Sequence, residues 1–155
     1  MKISLIINNK KKNIVTPPNR TLIEVLRAQG CWSVKYGCET GNCGNCTVLI
    51  EGKAVYSCLM LAAQADGKSI ETFENVQNNP AFRPLVQAFM DYGELECGYC
   101  NAGMVMAAKA LLDENLSPGE QEILEALSGN VCRCTQQPLP VEHILEAIDQ
   151  MRGKW

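Results

Sequence analysis

Four cysteines in the first third of the chain limit what it can fold into more than any other feature. Cys38, Cys43 and Cys46 follow a C-x4-C-x2-C pattern, and Cys58 comes after a gap of eleven residues. Three thiolates on one short loop, with a fourth returned from a separate segment, suit a small inorganic core that the backbone must wrap closely. The spacing matches that of a [2Fe–2S] loop. Gly37, Gly41 and Gly44 are interleaved with the ligands. Lacking Cβ atoms, they let the backbone adopt positive φ and approach a metal. The loop amides can then point inward at sulfur, where they stabilise an anionic cluster and raise its reduction potential.

The rest of the composition narrows the setting. The chain has 155 residues, room for one domain or two small ones, and a formal net charge of −3. Apart from Lys10-Lys11-Lys12 there is no basic tract, so neither nucleic acid nor an anionic membrane is an expected partner. Nine cysteines would suit a secreted disulfide scaffold, but the apolar run from Met1 to Ile7 is too short for a signal peptide. No stretch has the length of a membrane span. A reducing, cytoplasmic setting is therefore expected, where cysteines bind metal or do redox work.

Taken in order, Ile3–Ile7 and Asn13–Thr16 read as strands joined by a turn at Asn8-Asn9-Lys10. Thr21 with Glu24 forms a capping box, and a helix is expected to about Gln29, ended by Gly30. Thr47–Ile50 and Ala54–Ser57 form a hairpin that carries Cys58 back toward the loop, and Ser69–Phe73 adds a strand. From Asn75 the pattern changes, with Asn78-Asn79-Pro80 as a linker and Pro80 at a helix start. Helical stripes follow: Leu85, Val86, Phe89; Met104, Val105, Ala108, Leu111, Leu112; Ile123, Leu124, Leu127; and Ile144, Leu145, Ile148, Met151. A second capping box is expected at Ser117–Glu120. The fold expected is α+β. An N-terminal β-grasp, ferredoxin-like domain (1–75) precedes a four-helix bundle (76–155).

The helical half holds a second set, Cys97-Gly98-Tyr99-Cys100 and Cys132-Arg133-Cys134. The first pair precedes a helix near Asn101 and the second follows a helix end at Gly129, so two helix ends could close one four-thiolate site. On spacing alone, a structural zinc stays open beside a second cluster.

Both sets, in this order, resemble the small iron–sulfur subunit of the molybdenum hydroxylases, the xanthine dehydrogenase, aldehyde oxidoreductase and carbon monoxide dehydrogenase family. The matching stretches are Lys35 to Cys38, Gly41 to Val48, Ser57-Cys58-Leu59, Cys97 to Cys100 with Gly103-Met104, and Leu127 to Thr135. The resemblance implies two [2Fe–2S] clusters, one on Cys38, Cys43, Cys46 and Cys58, the other on Cys97, Cys100, Cys132 and Cys134. It implies single-electron relay from a molybdopterin centre in a large subunit to an FAD subunit, within a hetero-oligomer such as a dimer of heterotrimers. The chain itself would do no bond chemistry and have no catalytic residue. By the same resemblance Glu96 and Cys134 would contact the pterin. Here Glu96 stands where the family usually has glutamine; Asn101-Ala102 and Gln136-Gln137 also depart from its pattern. A free two-cluster ferredoxin shuttling between enzymes is the alternative.

Other residues have plainer readings. Cys31 is expected as a packed free thiol. Trp32 is expected as a packing anchor or a subunit contact, His143 as a surface residue, and Met104, Met106 and Met151 as core. Arg133, between two ligands, could offset cluster charge or pair with an acidic neighbour.

Overall fold

The computed structural model describes residues 1–92, 97–134 and 141–154. The chain opens with a hairpin of β1 (Lys2–Ile7) and β2 (Lys10–Val15). Its turn is set by Asn8 and Asn9, both left-handed at φ 49° and 65°, the geometry a two-residue hairpin loop needs. In β1 the alternation works as period two demands, with Ile3, Leu5 and Ile7 buried. Helix α1 (Leu22–Ala28) starts where Glu24 accepts from the N–H and Oγ1 of Thr21, and the chain leaves it through Gly30 at φ 91°.

A second hairpin, β3 (Thr47–Ile50) and β4 (Lys53–Tyr56), and a short β5 (Ser69–Glu71) complete a five-stranded mixed sheet ordered β2-β1-β5-β3-β4. Strands β1 and β5 run parallel; the other pairs are antiparallel. Helix α1 lays Leu22, Ile23, Val25 and Leu26 into the same core as Leu5, Val48 and Ile70. This is the expected β-grasp arrangement.

The helical half is built from α2 (Phe73–Gln77), α3 (Arg83–Tyr92), α4 (Asn101–Glu114), α5 (Glu120–Leu127) and α6 (Val141–Met151). The four long helices coincide with the four apolar stripes. Phe73 and Val76 of α2 join the helical core, so the segment around Asn75 is a packed helical turn and not loose chain. Pro80 begins a 3-10 turn ahead of α3, with Asn79 Oδ1 accepting from Ala81 N–H. The capping box expected at Ser117–Glu120 is not formed: α5 starts two residues later, after Gly119, which has no side chain to cap with and only donates its N–H to Glu122 at 2.8 Å.

Helix α4 departs from an amphipathic pattern. Residues 101–109 are buried all round. One side packs against α3 and α5, and the other lies on β3 and β4. Strand β3 is buried on both faces in turn, Val48 and Ile50 in the sheet core and Leu49 in the helical core. The two cores therefore share a wall, and both cysteine sets lie along it. Among the described residues no helix is long and apolar enough to cross a membrane.

Candidate metal centres

The first loop is shaped around sulfur. The backbone N–H groups of Thr40, Asn42 and Cys43 lie 3.4, 3.2 and 3.3 Å from Cys38 Sγ, and Asn45 N–H lies 3.5 Å from Cys43 Sγ. Glu39, Gly41 and Gly44 take φ of 57°, 77° and 73°, which turns these amides inward. The Thr40 amide, helped by its neighbours, brings the Cys38 thiol down to about 6. The loop thus favours a thiolate before any metal is considered. Burial pushes Cys46 the other way, to about 12, so that thiol needs a cation to ionise. Ser57, one residue before Cys58, donates from both N–H (3.3 Å) and Oγ (2.7 Å) to Cys46 O, which fixes the fourth ligand beside the third.

Gly37 serves by absence rather than by dihedral. A Cβ there would stand 2.5 Å from both Cys43 Sγ and Asn45 Nδ2. Gly41 and Gly44 combine positive φ with tight surroundings, since added Cβ atoms would overlap Leu59 and the Gly129–Asn130 segment.

The second set converges as well. Cys97, Cys100, Cys132 and Cys134 wall one cavity of about 430 Å³ with Gly98, Tyr99, Asn101 and Arg133. Cys97 Sγ and Cys134 Sγ are 3.5 Å apart, close to the roughly 3.8 Å expected of two thiolates sharing one tetrahedral metal at about 2.3 Å. The Tyr99 backbone amide, with help from Cys134, lowers the Cys97 thiol, while burial raises Cys100 to about 12. Gly98 turns at φ 70° just ahead of α4. The donor set and the cavity fit an iron–sulfur group.

The two sites touch. Val131 N–H, one residue before Cys132, donates to Cys43 O at 2.9 Å. Asn130 Nδ2 donates to Gly44 O at 3.1 Å, and Tyr56 OH donates to Gly129 O at 3.1 Å. Tyr99 OH donates to Tyr36 O at 2.6 Å. Gly103 on α4 lies so close to Gly44 that any Cβ there would overlap the Gly44 carbonyl.

Comparison with known proteins agrees with this geometry. The 2Fe-2S iron-sulfur cluster binding domain matches residues 5–72, and a [2Fe-2S] binding domain family matches residues 72–149. The nicotine 6-hydroxylase small subunit of Paenarthrobacter nicotinovorans is 44% identical over 155 residues, covering 99% of this chain and 93% of its own. The chain belongs to the small iron–sulfur subunits of the molybdenum hydroxylases. The nicotinate dehydrogenase small FeS subunit of Eubacterium barkeri is 48% identical, over 86% of this chain and 85% of its own. A crystal structure of quinoline 2-oxidoreductase from Pseudomonas putida 86 aligns with a TM-score of 0.87 at 39% identity, over 98% of this chain and 96% of that one. This iron–sulfur subunit is thus an electron-transfer part of a multi-subunit oxidoreductase and carries two [2Fe–2S] clusters.

Around the subunit's two sites, the singled-out residues sort clearly. Cys31 is buried in the sheet core, and Met104, Met106 and Met151 are buried in the helical one. His143 is exposed. Trp32 is 65% exposed with the Arg27 guanidinium 5.2 Å from its ring, so it is not a packing anchor. Arg133 lines the second cavity. Glu96, Gln136 and Gln137 lie outside the described residues. Tyr56, Tyr99, Gly103 and Asn130 join the sites, a role the sequence does not give them. Tyr99, Gly103 and Asn130 do fall in the stretches that carry the family resemblance, but each acts on a segment far away in sequence.

Proposed function

We propose that this chain relays single electrons from a molybdopterin centre in a large partner subunit to an FAD-bearing partner. In this reading Cys97, Cys100, Cys132 and Cys134 hold the cluster nearer molybdenum, and Cys38, Cys43, Cys46 and Cys58 hold the one facing the flavin. Glu96 and Cys134 meet the pterin, and the chain divides into domains at about residue 75. Each cluster, when bound, takes up and gives back one electron. The protein's part is to hold two thiolate quartets at close range, exclude water between them, and set their potentials through aimed amides.

The observation that carries this reading is the contact between the sites. Val131 N–H meets Cys43 O one residue from Cys132, so a ligand of one quartet is a hydrogen bond from the chain segment of the other. A pair of unrelated structural metals would need no such closeness. The exposed edge at Cys97 and Cys134 gives the second quartet a face for the pterin-bearing partner. A free shuttle ferredoxin gets no support from relatives that are themselves named as subunits.

Iron and acid-labile sulfide analysis of the purified complex, with spin integration of its dithionite-reduced EPR spectrum, tests the proposal. Four irons, four sulfides and two distinct spins per chain are expected. Cys43→Ser should remove one signal and Cys132→Ser the other. A single spin, or zinc in the helical site, would refute it.

A further inference from the structure

Asn45 stands between the two quartets and has no role in the reading above beyond its backbone. It is 6% exposed, and its Oδ1 is buried without a hydrogen-bond partner. Buried polar groups are almost always paired, and an exception calls for an explanation, a redox role being one. Its Nδ2 and the Sγ of Cys43 lie 2.5 Å from one common point, the place a Cβ on Gly37 would occupy. The same residue lines the cavity walled by the second quartet. Its N–H already donates to Cys43 Sγ. The side-chain amide and the sulfur its own backbone serves thus flank one gap, at most 5 Å apart, that Gly37 keeps open.

We propose that the Asn45 carboxamide is a potential-setting residue for the cluster on Cys38, Cys43, Cys46 and Cys58, its Nδ2 acting as a side-chain donor toward the Cys43 sulfur. This rests on the assignment of those four ligands. A donor to ligand sulfur stabilises the reduced, more negative form over the oxidised one, and so raises the reduction potential. An amide suits this place better than a cation, which would meet the desolvation penalty of the same buried wall. The two residues act together: glycine at 37 leaves the space, and asparagine at 45 reaches into it.

The test is an EPR-monitored redox titration of both clusters in the purified complex, for wild type, Asn45→Leu and Asn45→Asp. Leucine keeps the volume and removes the donor. The first cluster's one-electron equilibrium should shift about tenfold toward the oxidised form, which is about 59 mV; the second cluster should move less. Aspartate, an acceptor with added charge, should shift it further the same way. A wild-type potential for the first cluster in Asn45→Leu overturns the proposal. Wild-type protein carrying 15N-labelled asparagine side chains gives an independent reading. A hyperfine coupling from a side-chain nitrogen to the reduced first cluster supports it, and no coupling overturns it, whether or not the variants load iron. Absence of the first cluster's signal from wild type would instead sink the ligand assignment, which separates the two failures.

Discussion

A methyl group added at Gly37 would stand 2.5 Å from Cys43 Sγ and Asn45 Nδ2, and neither neighbour can retreat without moving a ligand or a buried amide. Gly37→Ala is expected to cost about 1–3 kcal/mol, as overpacking does, and to leave less iron per chain after desalting, read by metal analysis. Glu74 offers a second residue-scale prediction. Burial pushes its carboxyl up, but Ser33 Oγ, Thr72 Oγ1 and Ser33 N–H all donate to it, and together they hold it below its usual 4.5. A depressed folded-state value means that the stabilisation is present above the unfolded value and disappears as pH falls through the folded one. Thermal melts of wild type should therefore weaken below about pH 4.5. Glu74→Gln should be less stable at neutral pH and flatter across that acid window. Melting curves at several pH values check both.

Among the elements, α4 bears the heaviest packing, and Lys109 is its one buried charge. Its ammonium lies 3.0 Å from Glu71 at the end of β5, 2.7 Å from Asp113, and 5.0 Å from the centre of the Phe82 ring. Burial alone would lower its pKa, yet the hydrogen bonds it donates to Asp113 and Glu71 raise it, so the group stays charged. Both carboxylates keep some access to water, so losing the cation does not strand them. Lys109→Met, which keeps the stem packed, is expected to change stability by no more than about 1 kcal/mol; Lys109→Ala, which empties that space, should cost about 2 kcal/mol or more. Denaturant unfolding of the two variants separates charge from packing. This scale also shows how far local sequence reaches. The stripes of α3, α5 and α6 and the alternation of β1 are visible because each element buries one face. The burial of α4 on all sides was not visible: its second side is covered by β3 and β4, which lie some fifty residues earlier. Helix α2 was hidden for another reason. It is only five residues long, with three weak helix formers in Phe73, Asn75 and Val76, and tertiary contact through Phe73 and Val76 outweighs that propensity. The C-x4-C-x2-C loop stands out because its spacing is set within one short loop, whereas the second set comes from two segments more than thirty residues apart and Tyr56, Tyr99 and Gly103 act at separations that no local window spans.

For the whole molecule, the shared wall predicts shared fate. Two cores of this size would each be marginal alone. Strand β3 is buried in both, and three hydrogen bonds join the 129–131 segment to the first loop and β4, two donated by that segment and one by Tyr56 OH. The iron-loaded chain should thus unfold in one calorimetric transition, with no separate melting of its halves. Tyr56→Phe, which leaves the Gly129 carbonyl without its donor, should lower stability by about 1 kcal/mol while keeping a single transition. Stripping the metal should lower the midpoint, because metal binding to the folded state is itself folding free energy. Two resolved peaks in the calorimeter would contradict the shared wall.

The bond from Val131 N–H to Cys43 O also ties the two loops mechanically. The backbone leading to Cys132 rests on the turn that carries Cys43, so a displacement of one loop is felt at the other, and oxidative damage to either set of thiols should spread to its neighbour rather than stay local.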